Sequence, residues 1–177
     1  VKKVKTETIG LAHYYSKPAK QSDQNNSKTE FNLLTLQPSL WLDANEYNST
    51  SGTWNDRSGN QNHAKRYASP KAELHKPSDQ QVVRYHSKSN DYHEFKEIKN
   101  IRTVFWVMSK TSGNSGSPLC HPNAHHFYSN GDKFWHPQHT HEHIRKGSLR
   151  INGMKANAES NYPNKLAVVS LRTTGNV

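Results

Sequence analysis

Ser39-Leu40-Trp41-Leu42-Asp43-Ala44, a polar loop, then Thr53-Trp54-Asn55-Asp56-Arg57-Ser58-Gly59-Asn60-Gln61-Asn62-His63-Ala64 is the stretch that decides the fold. Leu40 and Leu42 alternate with Trp41 and Asp43, the period-two pattern of a half-buried strand. Asn55 to Asn60 is dense in residues that bond their own backbone and tolerate turns. Trp41 and Trp54 bracket the loop, which predicts a sheet edge with its connection folded over it.

Working outward, Phe31–Leu36 is a short apolar run stopped by Gln37-Pro38. Val82–His86 and Asp91–Phe95 read as short strands, the second placing Tyr92 and Glu94 opposite His93 and Phe95. Ile101–Met108 is β-branched, aromatic and almost continuously apolar, as a central strand covered on both faces would be. His125–Tyr128, Lys133–Trp135 and Ile144–Asn152 are further strands, and Leu166–Arg172 is a buried one. Asn130-Gly131-Asp132 and Asn152-Gly153 are turns of the hairpin kind. Many short strands with turn chemistry between them predict an all-β antiparallel two-sheet sandwich. Residues 1–30 are polar apart from Ile9–Tyr15 and read as a flexible or extended segment, leaving 31–177 as the domain.

A chain of 177 residues suits one domain with a real core. Its apolar fraction is 31%, yet it holds four Trp, eight Tyr and five Phe, more than a disordered chain carries. A thin core within polar loops follows. The formal charge of +10 makes polyanions plausible partners: acidic polysaccharide, nucleic acid, anionic lipid or mineral. The cations are spread along the chain without a zinc-finger or ribonucleoprotein motif, so a specific nucleic-acid partner is not expected. No run of about 18 apolar residues exists to span a membrane. Cys120 is alone, which excludes an internal disulfide. Asn25-Asn26-Ser27 and Asn48-Ser49-Thr50 match the glycosylation acceptor pattern and favour an exported, extracellular protein.

With those residues placed, the chain resembles the laminin-G-like, concanavalin-A-like jelly-roll domains of the lectin and glucanase superfamily. The matching pieces are Leu40–Ala44, Trp54–Ala64, Ile101–Val107, Ile144–Gly153 and Lys165–Val177, in order along the chain. The resemblance implies a jelly roll, further strands after Val177, and a variable loop region around residues 121–143. A sandwich lacking those strands exposes edges that a second copy or a partner chain would complete.

The sharpest chemical pattern is Gln138-His139-Thr140-His141-Glu142-His143. In an extended strand His139, His141 and His143 share a face and form a zinc, copper or nickel site, with His126, His125 or His136 adding a ligand from a neighbour. The alternative is a solvated, His-rich edge. Calcium would use Asp56, Asn60 and Asn62, which turn bonding explains equally well. The acids Asp91, Glu94 and Glu97 do not alternate as paired glycosidase carboxylates do and read as solvated charge. No nucleophile motif and no phosphate-binding loop occurs, so no catalytic residue is assigned. Trp54 and Trp135 beside polar loops are candidate sugar-stacking rings, with Asn60 and Arg57 as hydrogen-bonding neighbours; packing in the core is the competing fate.

The expectation is a non-catalytic extracellular binding or adhesion module for glycans or another polyanionic matrix. Two rivals stand beside it. One is a structural scaffold assembling through exposed sheet edges into a filament or a mineral- or metal-associated matrix. The other is a His-based metal-binding protein.

Overall fold

The structure, a computed structural model, describes residues 32–67, 72–76, 80–86, 91–111, 113–121 and 123–177. The segment expected to be flexible over 1–30 lies outside the described residues. After a 3-10 turn at Leu33–Leu36 come β1 (Leu42–Asn48), β2 (Thr53–Asp56), β3 (Ala64–Tyr67), β4 (Glu73–His75), β5 (Val82–Arg84) and β6 (Tyr92–Glu94). Then follow β7 (Thr103–Met108), a short helix α1 (Glu142–Arg145), β8 (Ser148–Ile151), β9 (Met154–Ala156) and β10 (Ala167–Arg172). The fold is all-β. One sheet runs β1-β2-β3-β6, a second β7-β10-β8-β9, and β4 pairs with β5, every pair antiparallel.

The opening stretch folds locally, as its chemistry predicts. The Asp56 carboxylate accepts from Trp41 N–H at 2.9 Å, from Ser58 N–H at 2.9 Å, from the Ser58 hydroxyl at 2.7 Å and from Asn62 N–H at 3.0 Å. Burial alone would raise the Asp56 carboxyl; the donors from Trp41, Ser58 and Asn62 outweigh it and hold the pKa below the usual carboxylate range. Trp54 Nε1 donates to the Asp43 carbonyl at 2.6 Å, and Arg57 pairs with the buried Asp43 carboxylate at 2.9 Å. The Arg57 guanidinium lies 4.5 Å from the Trp41 ring centre. The β1–β2 register shifts between Leu42 and Tyr47, and the consecutive residues Asp43 and Ala44 are both buried there. That bulge breaks the period-two pattern.

Buried residues from all three sheets form one apolar cluster, and it is rich in rings: Tyr47, Trp54, Trp106, Phe127, Phe134, Trp135 and Tyr162 belong to it. His93 sits among Tyr47, Trp54 and Tyr85, with ring centres 5.1, 5.7 and 5.6 Å away, and its Nδ1 lies 2.7 Å from the Tyr85 hydroxyl. Large rings let a chain poor in aliphatic residues fill a core. Lys110 is buried, donates to the carbonyls of Asn114 and Gly131, and lies 4.8 Å from the Tyr162 ring centre, tying two loops together.

Several local expectations need correction. Over 101–108 the strand is β7, an edge strand in its sheet, and Phe105 is 58% exposed; its outward apolar side chains imitate a doubly covered strand. His125–Tyr128 and Lys133–Trp135 are not strands: only Lys133 makes isolated bridges. Ile144 lies in α1, and the strand begins at Ser148. Asp91 is not solvated charge; it is 2% exposed. The Asn152-Gly153 turn is as expected, with φ of 49° and 81°, joining β8 to β9.

Candidate functional site

Two surfaces gather chemistry. The first is the histidine region. The carbonyls of His126 and Tyr128 accept from His141 N–H at 3.0 Å and His136 N–H at 2.9 Å, so the turn 136–141 lies against 126–128. His141 caps α1, its side chain accepting from His143 N–H. The segment is therefore a turn and a helix start rather than a strand, which corrects the shared face expected of His139, His141 and His143. His126 and His141 have ring centres 5.5 Å apart, and His141 and His143 5.2 Å apart. His139 belongs elsewhere: it lies 4.3 Å from His136, 6.4 Å from His125 and 5.9 Å from Tyr128. His143 is fixed, its Nδ1 3.0 Å from the Thr174 hydroxyl and its ring so close to Gly175 that a Cβ there would stand 2.6 Å from Nε2.

Burial, then the neighbouring His141 and His121, lowers the pKa of His126; burial and His139 lower that of His136. His121 Nε2 is 3.6 Å from Glu97 Oε1. Among the described residues no three His, Cys, Asp or Glu side chains are grouped closely enough to hold a metal ion.

The second surface is the outer face of the β7-β10-β8-β9 sheet. Burial alternates along β10, with Ala167, Val169 and Leu171 inward. Cross-strand registers place Thr103, Arg172 and Ser148 in one outward row and Phe105, Ser170, Arg150 and Lys155 in the next. Val107 and Val168 form the third. These rows hold three cations, three hydroxyls, three apolar side chains and no carboxylate. Arg150 and Lys155 stand directly opposite one another, a like-charge pairing that costs stability. Neither they nor Arg172 enter an ion pair among the described residues. The first sheet differs: there Lys65 faces Glu94 across the ladder.

The sugar-contact residues expected from sequence are structural instead. Trp54 and Trp135 are each 1% exposed, so their faces pack against the core and offer nothing to a sugar. Arg57 is committed to Asp43 and Trp41, and Asn60 Nδ2 donates to the Pro38 carbonyl at 2.9 Å. Asp56 accepts three hydrogen bonds from its own turn and a fourth from the Trp41 N–H, and Asn62 donates to it and to Ser39. The outward cations went unmarked in the sequence, although Ser148-Leu149-Arg150-Ile151 and Val169-Ser170-Leu171-Arg172 carry the alternating signal. No protein-family model, no characterised protein and no solved structure matches the chain. No helix among the described residues is long and apolar enough to cross a membrane.

Proposed function

We propose that the chain is a non-catalytic, exported binding module of laminin-G-like jelly-roll kind that holds polyanionic glycan along the outer face of the β7-β10-β8-β9 sheet. The observation that carries this reading is the acid-free set of rows in which Arg150 opposes Lys155. Like charges held face to face create a local positive field that a sulfate or carboxylate between them would relieve. The hydroxyls of Ser148, Ser170 and Thr103 supply hydrogen-bonding partners, and Phe105 offers an apolar surface for a sugar ring. Asn48 adds support for export, since it is exposed at the end of β1, as a glycosylation acceptor must be.

The test is equilibrium binding to a heavily sulfated polysaccharide across a salt series. The triple variant R150S/K155S/R172S should bind roughly 30-fold more weakly, with a salt slope shallower by about two to three, while a neutral polysaccharide should not bind either protein. Equal affinity and equal slope in wild type and variant would refute the reading.

A further inference from the structure

We infer that β7 is a dimerisation edge: Thr103–Met108 of one chain pairs antiparallel with the same strand of a second copy, about a two-fold axis at Phe105. The two four-stranded sheets then run on as one. This inference does not rest on the glycan reading.

Natural sheets blunt an exposed edge with charge, a bulge, proline or a very short strand. Three of the four edges of the two larger sheets carry such a device. β1 has its bulge beside the buried Asp43. β6 is three residues ending in Glu94, and β9 is three residues with Lys155 at its centre. β7 has none of them. Thr-Val-Phe-Trp-Val-Met carries no charge and no proline, and its register with β10 is unbroken. The Arg102 carbonyl accepts from Thr173 N–H at 2.9 Å, so the even-numbered residues of β7 turn their backbone groups toward β10. Thr103, Phe105 and Val107 turn theirs the other way, where nothing among the described residues bonds them. Phe105 is 58% exposed there. The Ile101 N–H is taken by the Val177 carbonyl at 3.1 Å, so the open ladder starts at Thr103.

This edge fits its own copy. Its three open residues are spaced symmetrically about Phe105, so a two-fold axis there sets Phe105 opposite Phe105 and Thr103 opposite Val107, each pair exchanging two hydrogen bonds. The same register places Arg102 opposite Met108 and Lys110 opposite Asn100. No cation meets another across the seam, although the chain carries a net charge of +10. A seam of one short strand pair buries less than the roughly 1,200 Å² of standard interfaces, so a dimer Kd of roughly 10–100 µM is expected.

The experiment is sedimentation equilibrium of the full chain across that concentration range, with no glycan present. Phe105→Lys sets two like charges face to face on the axis and should weaken the dimer at least about 10-fold. The exposed position should leave the fold intact, checked by circular dichroism. In a Cys120→Ser background, Phe105→Cys should form a disulfide-linked dimer with oxidised glutathione, because the paired Cα atoms would stand about 5.5 Å apart. Thr103→Cys should not, since the two copies of that residue would be about 14 Å apart. The inference is overturned if wild type stays monomeric at several hundred micromolar or if Phe105→Lys dimerises as wild type does. It is equally overturned if Thr103→Cys crosslinks as readily as Phe105→Cys.

Discussion

Replacing Asp56 with alanine is expected to lower the stability of the fold by about 3–4 kcal/mol, because four donors converge on one carboxylate. Hydrogen bonds to a charged acceptor contribute about 1.5–3 kcal/mol each, but water can reach the Ser58 and Asn62 donors once the carboxylate is gone. The Trp41 N–H and the closing of the turn onto β1 account for most of the loss. Asp56→Asn keeps one acceptor oxygen while pointing an amide at two donors, and should cost about 2 kcal/mol. Urea unfolding reads both: the midpoint should fall with the m-value unchanged. A loss below about 1 kcal/mol for Asp56→Ala would show that Trp54 and Arg57 hold the stretch without it.

Acid should weaken the protein through His93. Burial, and secondarily the nearby Arg66 charge, lowers its pKa to about 4 from an ordinary 6.5. In the folded state the ring therefore stays neutral down to about pH 4, while the unfolded chain takes up the proton near 6.5. The unfolded state binds the extra proton throughout that window, so stability is full above 6.5 and declines as pH falls toward 4. The decline attributable to this residue is on the order of 3 kcal/mol. Asp56 acts in the same direction at lower pH, since its depressed pKa means that its contribution is lost only when the folded-state carboxylate is finally protonated. In His93→Gln the slope of unfolding free energy against pH between 4 and 6.5 should flatten by about one proton, whatever the variant's stability at pH 7. An unchanged slope would contradict the assignment.

What was legible in the sequence was local. The Asp56 turn closes between residues two and six apart, and Asn152-Gly153 adopts the positive φ that its type favours, so both could be read from short windows. What depended on distant partners could not. Val104, Phe105, Trp106 and Val107 look the same in sequence whether or not a strand lies on their far side. The alternation of His139, His141 and His143 suggested a strand, yet Glu142 in the first turn and Gly147 after the last were helix signals within the same few residues. A Trp beside a polar loop fits either a sugar contact or the core in sequence, and the 1% exposure of Trp54 and Trp135 places both in the core. Arg172, Arg150 and Lys155 meet only because β10 pairs with β8 and β8 with β9. Their sequence neighbours give no hint of that.

The binding reading rests on the outer face of one sheet, and amide chemical shifts can locate a ligand strand by strand. The decisive measurement is an NMR titration of the labelled chain with a sulfated oligosaccharide at low salt. The predicted result is a set of perturbations concentrated at 148–155 and 168–172, extending to β7 at Phe105 and collapsing as salt rises. Perturbations centred instead on the stacked Tyr67–Tyr92 pair of the first sheet, or on 121–143, would contradict it, as would equal shifts with a neutral oligosaccharide.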